Sequence, residues 1–252
     1  MKEKSHEKAT VAEQIAEQYY ATTASRSHQR DASWYEHASY QKLLRFSRWL
    51  PVDRNARILE IGCGCGEMLF GLEKKGYKNL VGLDYCQEEL DEAAHFVSAE
   101  LVCDDAQKFL GETEYEYDLV IAYNVLEHFS KESLVEMLRN IRKVIKPGGA
   151  LIAMVPNAVS PFAGTSRYWD ITHELAFTTN SWRQLASLLG FDEVHFRECG
   201  PVPHGVISSI RYALWQVIRL IIKAYLLVEV ATDRGGLYTQ DMLVKLSMKP
   251  AD

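Results

Sequence analysis

What this 252-residue chain lacks already narrows its class. Basic residues are short: 28 Lys and Arg stand against 34 Asp and Glu, a net charge of -6, which argues against a nucleic-acid binder built on a basic surface. Cysteine is sparse and odd in number, five in all, with Cys63 and Cys65 inside one glycine loop. That excludes a disulfide ladder and leads us to expect a reducing, cytoplasmic setting. No run reaches the ~18 uncharged apolar residues of a membrane span. No apolar core follows the charged start Met1–Lys8, so a secretory signal is not expected. Internal repeats and low-complexity linkers are missing too. What is present is ordinary: 47% hydrophobic and 25% charged residues describe a globular protein. The length suits one core with additions, since single cores stop growing near ~250–300 residues.

The middle of the chain alternates short apolar runs with helical patterns. Strands are expected at 57–61, 80–84, 100–103, 117–123 and 150–155, with helices at 67–75, 88–97 and 130–145 between them. Ser130 is placed to cap the last of these helices, and Pro147-Gly148-Gly149 to stop it. Near-continuous apolar strands alternating with helices predict an α/β fold, a doubly wound parallel sheet covered on both faces. Further on, a helix is expected at 181–189, a strand at 193–197 and a last strand within 238–248. Residues 8–50 read as helical and aromatic.

The first strand runs into Glu60-Ile61-Gly62-Cys63-Gly64-Cys65-Gly66 and then a helix. Glycines allow a sharp turn and close approach of a ligand, and the helix start offers unpaired N–H groups. A nicotinamide fingerprint fails here, because its third glycine would fall at Glu67 or Leu69, and Glu67 would set a negative charge beside a pyrophosphate. Asp84, ending the second strand, suits a ribose diol, with Tyr85 beside it. Asp104, Asp105 and Ala106 follow the third strand, where an adenine amino group could be gripped. Asn124 follows the fourth, at the carboxyl edge where open α/β sheets bind ligands.

These residues resemble the class I S-adenosylmethionine-dependent methyltransferases over roughly residues 55–200. The loop Glu60–Gly66, the acids Asp84 and Asp105, the run Asn124-Val125-Leu126-Glu127-His128 and the turn Lys146-Pro147-Gly148-Gly149 carry the resemblance. It implies a Rossmann-like sheet of seven strands with the last antiparallel. It also implies S-adenosylmethionine as cofactor, S-adenosylhomocysteine as product, and Glu60, Gly62, Cys63, Gly64, Gly66, Asp84, Tyr85, Asp104, Asp105, Ala106 and Asn124 around it. An N-terminal helical cap over 1–54, with Tyr20 closing on the cofactor, would precede the catalytic domain at 55–252. Cys63 and Cys65 read as small loop fillers, not as metal or redox groups, and no resident metal is expected.

An alcohol acceptor also needs a base. The candidates are His128 and His173. The latter lies in the unpatterned loop 157–180 with Asp170 or Glu174 as its orienting partner. Val206–Val230 forms an apolar helical insertion within 200–236. Arg211, Trp215, Arg219 and Lys223 fall four apart on it, a stripe suited to headgroup depth at the inner membrane face, to a homo-oligomer, or to the core. The insertion and the 157–180 loop look like those of methyltransferases from bacterial surface-polysaccharide gene clusters. That resemblance implies a lipid-linked sugar hydroxyl, or a terminal phosphate, as acceptor. A small lipophilic acceptor such as a quinone precursor, and a noncatalytic partner with the same fold, stay open.

Overall fold

The computed structural model describes residues 30–250. Tyr20 and the helical pattern assigned to residues 8–29 lie outside them. Seven strands form one sheet in the order β3-β2-β1-β4-β5-β7-β6. They are β1 Arg57–Ile61, β2 Asn79–Asp84, β3 Glu100–Cys103, β4 Tyr117–Tyr123, β5 Ile145–Pro156, β6 Glu193–Glu198 and β7 Asp241–Ser247. β1 to β5 pair in parallel, whereas β7 runs antiparallel between β5 and β6, as the resemblance implied. The helices are α1 Ala32–Phe46, α2 Glu67–Lys74, α3 Gln87–Ala93, α4 Ala106–Glu112, α5 Lys131–Val144, α6 Ala163–Arg167, α7 Thr179–Leu189 and α8 Val206–Val230.

The central strands carry apolar side chains on both faces, so each face needs a cover. Ile58, Leu119, Ile121 and Ile152 pack with Leu43, Met68, Leu69 and Leu90 from α1 to α3. Leu59, Val120, Ala122 and Leu151 point the other way, onto Leu110, Leu138, Ile141 and Trp182 from α4, α5 and α7. Gly71 sits in the middle of α2, where a glycine ordinarily weakens a helix. A Cβ there would lie 2.4 Å from Leu43 Cδ1, so the missing side chain is what lets α1 lie close.

Ser130 caps α5 as expected, accepting from the Ser133 N–H. One expectation is corrected and one helix is new. The helix assigned to 88–97 ends at Ala93 and gives way to a turn. α4 was not anticipated; its start is set by Asp105, whose side chain accepts from the Lys108 N–H. α8 matches its expected bounds, and of the stripe left open between membrane, second copy and core, Trp215 and Arg219 face the protein, both bound to Glu198 Oε2. Its outward surface is instead apolar, from Val206 and Ile210 to Ile221 and Val228. No helix among the described residues is long and apolar enough to cross a membrane.

Candidate active site

The sheet order reverses between β1 and β4, so the loops at their carboxyl ends part and leave a crevice. The glycine loop turns there. Gly62, Gly64 and Gly66 all have positive φ, 66°, 52° and 79°, a backbone that side chains resist. Space forbids side chains as well: a Cβ at Gly62 would stand 2.5 Å from Val125 Cγ2, and one at Gly64 2.9 Å from Glu89 Oε2. The loop is tied to β2 because the Gly62 and Cys63 N–H groups both donate to the Leu83 carbonyl. The Gly64 N–H donates to Asp84 Oδ2 at 2.8 Å, and the Cys86 N–H to Oδ1 at 3.0 Å.

Around this loop the chain buries acids. Glu60 is 1% exposed and its Oε2 has no hydrogen-bond partner among the described residues. Burial, with Glu67 and Asp84 nearby, outweighs Lys42 and the Leu69 N–H and pushes Glu60 up to about 8. Glu89 is pushed up to about 7 by burial and by Asp84 and Glu67. Burial also raises Asp84, against the N–H groups that bind it. Glu67 stays low: burial works against its charge, but Lys42, 3.2 Å away, outweighs it. The group is short of positive charge, and a cation seated beside it would relieve the raised acids.

Glu89, Lys42 and Tyr35 were not singled out from the sequence. Tyr35 donates its hydroxyl to the Cys65 carbonyl at 2.6 Å, fixing the loop from α1. Only tertiary contact brings these residues to the loop, so no local pattern marked them. Burial raises the thiols of Cys63 and Cys65, which keeps them protonated, as loop fillers would be.

Of the other expected cofactor residues, Tyr85 is half exposed at the rim. The Asp104 N–H donates to the Asp84 carbonyl, while its carboxylate pairs with Lys108 at 3.0 Å. Asp105 is occupied as the cap of α4, with Ala106 opening that helix. Asn124 has φ 55°, an uncommon backbone for a residue with a side chain, at the very end of β4.

The acceptor side is a second cluster. His128 ends a short 3₁₀ turn, Leu126–His128, and its ring meets that of His173 edge-on at 4.7 Å. His173 Nε2 lies 4.0 Å from Glu127 Oε1. The 157–180 loop is held here because the Glu174 and Leu175 N–H groups both donate to the Glu127 carbonyl, and Arg167 donates to the carbonyls of His173 and Glu174. Glu127 is 1% exposed, and burial pushes it up to about 8. Burial, then His173, pulls His128 down to about 4, so its ring is neutral near pH 7.

Asp170 takes a different partner from the one expected. It accepts from the Thr172 hydroxyl at 2.7 Å, and that oxygen bonds His128 Nδ1 at 2.7 Å. His173 Nδ1 is bound to the Ser166 carbonyl at 3.0 Å. Asp170 therefore orients His128, and neither Asp170 nor Glu174 orients His173.

A donor with a positive sulfur fits the first cluster on three counts: a loop with glycine at every second position, an orphaned buried carboxylate oxygen, and raised acids that Lys42 and Arg30 offset only in part. The fold is that of the class I S-adenosylmethionine-dependent methyltransferases, and the residues of the site fit S-adenosylmethionine as methyl donor. The methyltransferase-domain family matches residues 58–149 of the chain. A highly reducing polyketide synthase of Leptosphaeria maculans is 28% identical over 57% of this chain and 7% of its own length. EEF1A lysine methyltransferase 2 of Danio rerio is 26% identical over 47% of this chain and 56% of its own. The chain thus spans little more than half of one such relative and a small part of the other. Among solved structures, a SAM-dependent methyltransferase from Archaeoglobus fulgidus superposes with a TM-score of 0.63 at 18% identity. That match covers 92% of this chain and 98% of the other. Magnesium protoporphyrin IX methyltransferase of Synechocystis, solved with bound SAM, gives 0.53 at 16% identity, covering 75% and 91%.

Proposed function

We propose that this methyltransferase methylates a hydroxyl oxygen, and that the hydroxyl belongs to a sugar of a glycan. The observation that carries the reading is the Glu127–His128–His173 cluster on the strand end next to the glycine loop. A hydroxyl is a poor nucleophile until its proton leaves, so an oxygen acceptor calls for a base. The donor supplies an activated methyl group. Glu60, Gly62, Cys63, Gly64 and Gly66 would hold its amino-acid end, and Asp84 its ribose. Tyr85, Asp104, Asp105 and Ala106 would surround the adenine, with Asn124 at the strand end between donor and acceptor. As the oxygen–carbon bond forms and the carbon–sulfur bond breaks, the electron pair goes to sulfur and the hydroxyl proton to His173. Glu127 stands where it can stabilise the resulting imidazolium.

The sugar is supported by the loop above this cluster. Phe162, Tyr168 and Trp169 are exposed there, Trp169 at 81%. Flat aromatic rings beside polar groups suit a ring that is apolar on its face and wet at its edge. A terminal phosphate would offer a similar oxygen, and a small lipophilic molecule such as a quinone precursor would use the same aromatics. Labelled methyl donor offered in parallel to lipid-linked glycans and to quinols, with the label located by mass spectrometry, decides among them; methylated glycan oxygen is expected. His173→Ala should lower kcat by about 10²–10⁴ and leave donor affinity unchanged. Full activity in that variant would sink the base assignment.

We infer further that a second copy of the chain covers α8. Val206, Ile207, Leu220, Ile221, Tyr225 and Val228 are each more than half exposed along it, an apolar run of the kind that stable interfaces bury at roughly 800 Å² per partner. The alternative, an anionic bilayer, fits less well. Arg219 is bound to Glu198 at 3.0 Å, Lys223 lies 3.6 Å from Asp233, and the whole chain carries a charge of -6. This surface shares no residue with either cluster of the active site.

A further inference from the structure

The acceptor cluster has a second property that a lone base would not need. Its hydrogen bonds fix the tautomers of both histidines. The Ser166 carbonyl can only accept, so the proton of His173 is on Nδ1. The Thr172 hydroxyl gives its single hydrogen to Asp170, so it accepts from His128, whose proton is also on Nδ1. Nε2 is therefore the lone-pair nitrogen of both rings. A carbonyl or carboxylate relay on the far nitrogen, leaving the near one as donor atom, is how metal-binding histidines are held. Between them stands Glu127, 99% buried, with Oε2 unpartnered among the described residues. One donor atom from each of the three residues lies within 4.8 Å of the others. Two donors at ~2.1 Å from one shared ion stand roughly 3.0–3.4 Å apart, so the 4.0 Å between His173 Nε2 and Glu127 Oε1 has to shorten by less than about 1 Å for both to reach it.

We propose that Glu127, His128 and His173 bind one first-row divalent cation, whose open positions take the acceptor hydroxyl. Two imidazoles and a carboxylate leave coordination sites free and suit manganese, iron, cobalt or zinc. A coordinated hydroxyl ionises far more readily than a free one. Its proton then leaves to water on coordination, so His173 no longer has to accept it. The oxygen attacks the methyl carbon, and the sulfur departs with the bonding pair. The ion changes no oxidation state, and no other co-reactant is needed. The role given to the ion rests on the hydroxyl reading above. Its binding does not, so the two can fail separately.

The full chain, stripped with chelator, would be equilibrated with Mn²⁺, Co²⁺ and Zn²⁺ in turn and the bound metal counted by mass spectrometry. Co²⁺ also reports its ligands through visible absorption. One equivalent per chain is expected for at least one ion. Affinity should fall at least tenfold in Glu127→Gln and in His128→Gln, each still binding S-adenosylmethionine as proof of folding. His195→Gln, which breaks an exposed His–Glu pair on β6, should change nothing. No stoichiometric ion in the wild type overturns the site, whatever the variants do, and leaves His173 as base. Stoichiometric binding that survives the double change at His128 and His173 also overturns it. If the ion binds there but chelator leaves methylation of the glycan or quinol acceptor at full rate, the site stands and the ion's role in the reaction is overturned.

Discussion

The crevice at β1 and β4 and the outer face of α8 reverse the usual rule of burial in opposite senses. In the crevice, carboxylates are buried with too little positive charge around them: burial raises Glu60, Asp84 and Glu89, each above its own ordinary value. On α8, apolar side chains face out, while Trp215 and Arg219 turn in toward Glu198. Buried charge without a partner costs folding energy, and so does a long exposed apolar face. A chain tolerates such costs where something absent from the isolated chain supplies the missing half. The sign of the defect tells what that is: a small cation-bearing ligand in one region, an apolar macromolecular surface in the other.

The comparison breaks most easily at Asp84. Its carboxylate ties the loop through Gly64 and is the group assigned to the ribose, so Asp84→Ala removes both. Losing a buried charged hydrogen bond costs about 2–4 kcal/mol, which is a fall in donor affinity of about 30- to 1,000-fold by calorimetry. Unchanged affinity would end the assignment of this crevice to the donor. A smaller effect tests the charge itself. Glu89 and Glu60 hold protons up to about 7 and about 8 because burial and neighbouring acids favour the neutral form. A positive sulfur favours the ionised form, so binding it releases protons and becomes tighter as pH rises from 6 to 8.5. The product has a neutral sulfur and keeps only the part of this gain that its ammonium group supplies, which is common to both and cancels in their ratio. The ratio of donor to product affinity should therefore climb roughly tenfold across that range, one titrating acid moving it by up to tenfold per pH unit. A flat ratio would mean that these acids do not face the sulfur.

Much of the crevice was legible in the sequence because it is local. Strand, glycine loop and helix are contiguous from Arg57 to Lys74, and Asp84 ends the next strand, so spacing alone puts them on one edge. The bounds of α8 were legible for a similar reason, since an unbroken helical pattern needs no partner to be seen. Its orientation was not. Periodicity sets Arg211, Trp215, Arg219 and Lys223 on one stripe, but only Glu198 on β6 decides that Trp215 and Arg219 look inward. The His173 partner was missed in the same way. Asp170 is close in sequence, yet Thr172 passes its hydrogen bond to His128, across 44 residues of chain.

The α8 half of the comparison is sharpened by separating its two faces. Leu214→Glu with Ile221→Glu puts charge on the outward face, where neither residue packs on the body of the protein. Sedimentation should then show a dimer becoming a monomer, with melting temperature and donor binding kept. A wild type that sediments as a monomer and floats with anionic vesicles would replace the second copy by a membrane. The inward face should give the smallest effect. Arg219→Ala leaves Glu198, 13% exposed at its side chain, with Trp215 Nε1 and the Tyr238 N–H as remaining donors. Because those bonds persist, the loss should be about 1 kcal/mol, a fall in melting temperature of about 2–4 °C for a chain of this size. Dimerisation should survive, since no outward side chain has changed. If Arg219→Ala dissolved the dimer as fully as the outward pair did, the two faces of α8 would not be independent, and its apolar surface would owe its shape to the Glu198 anchor.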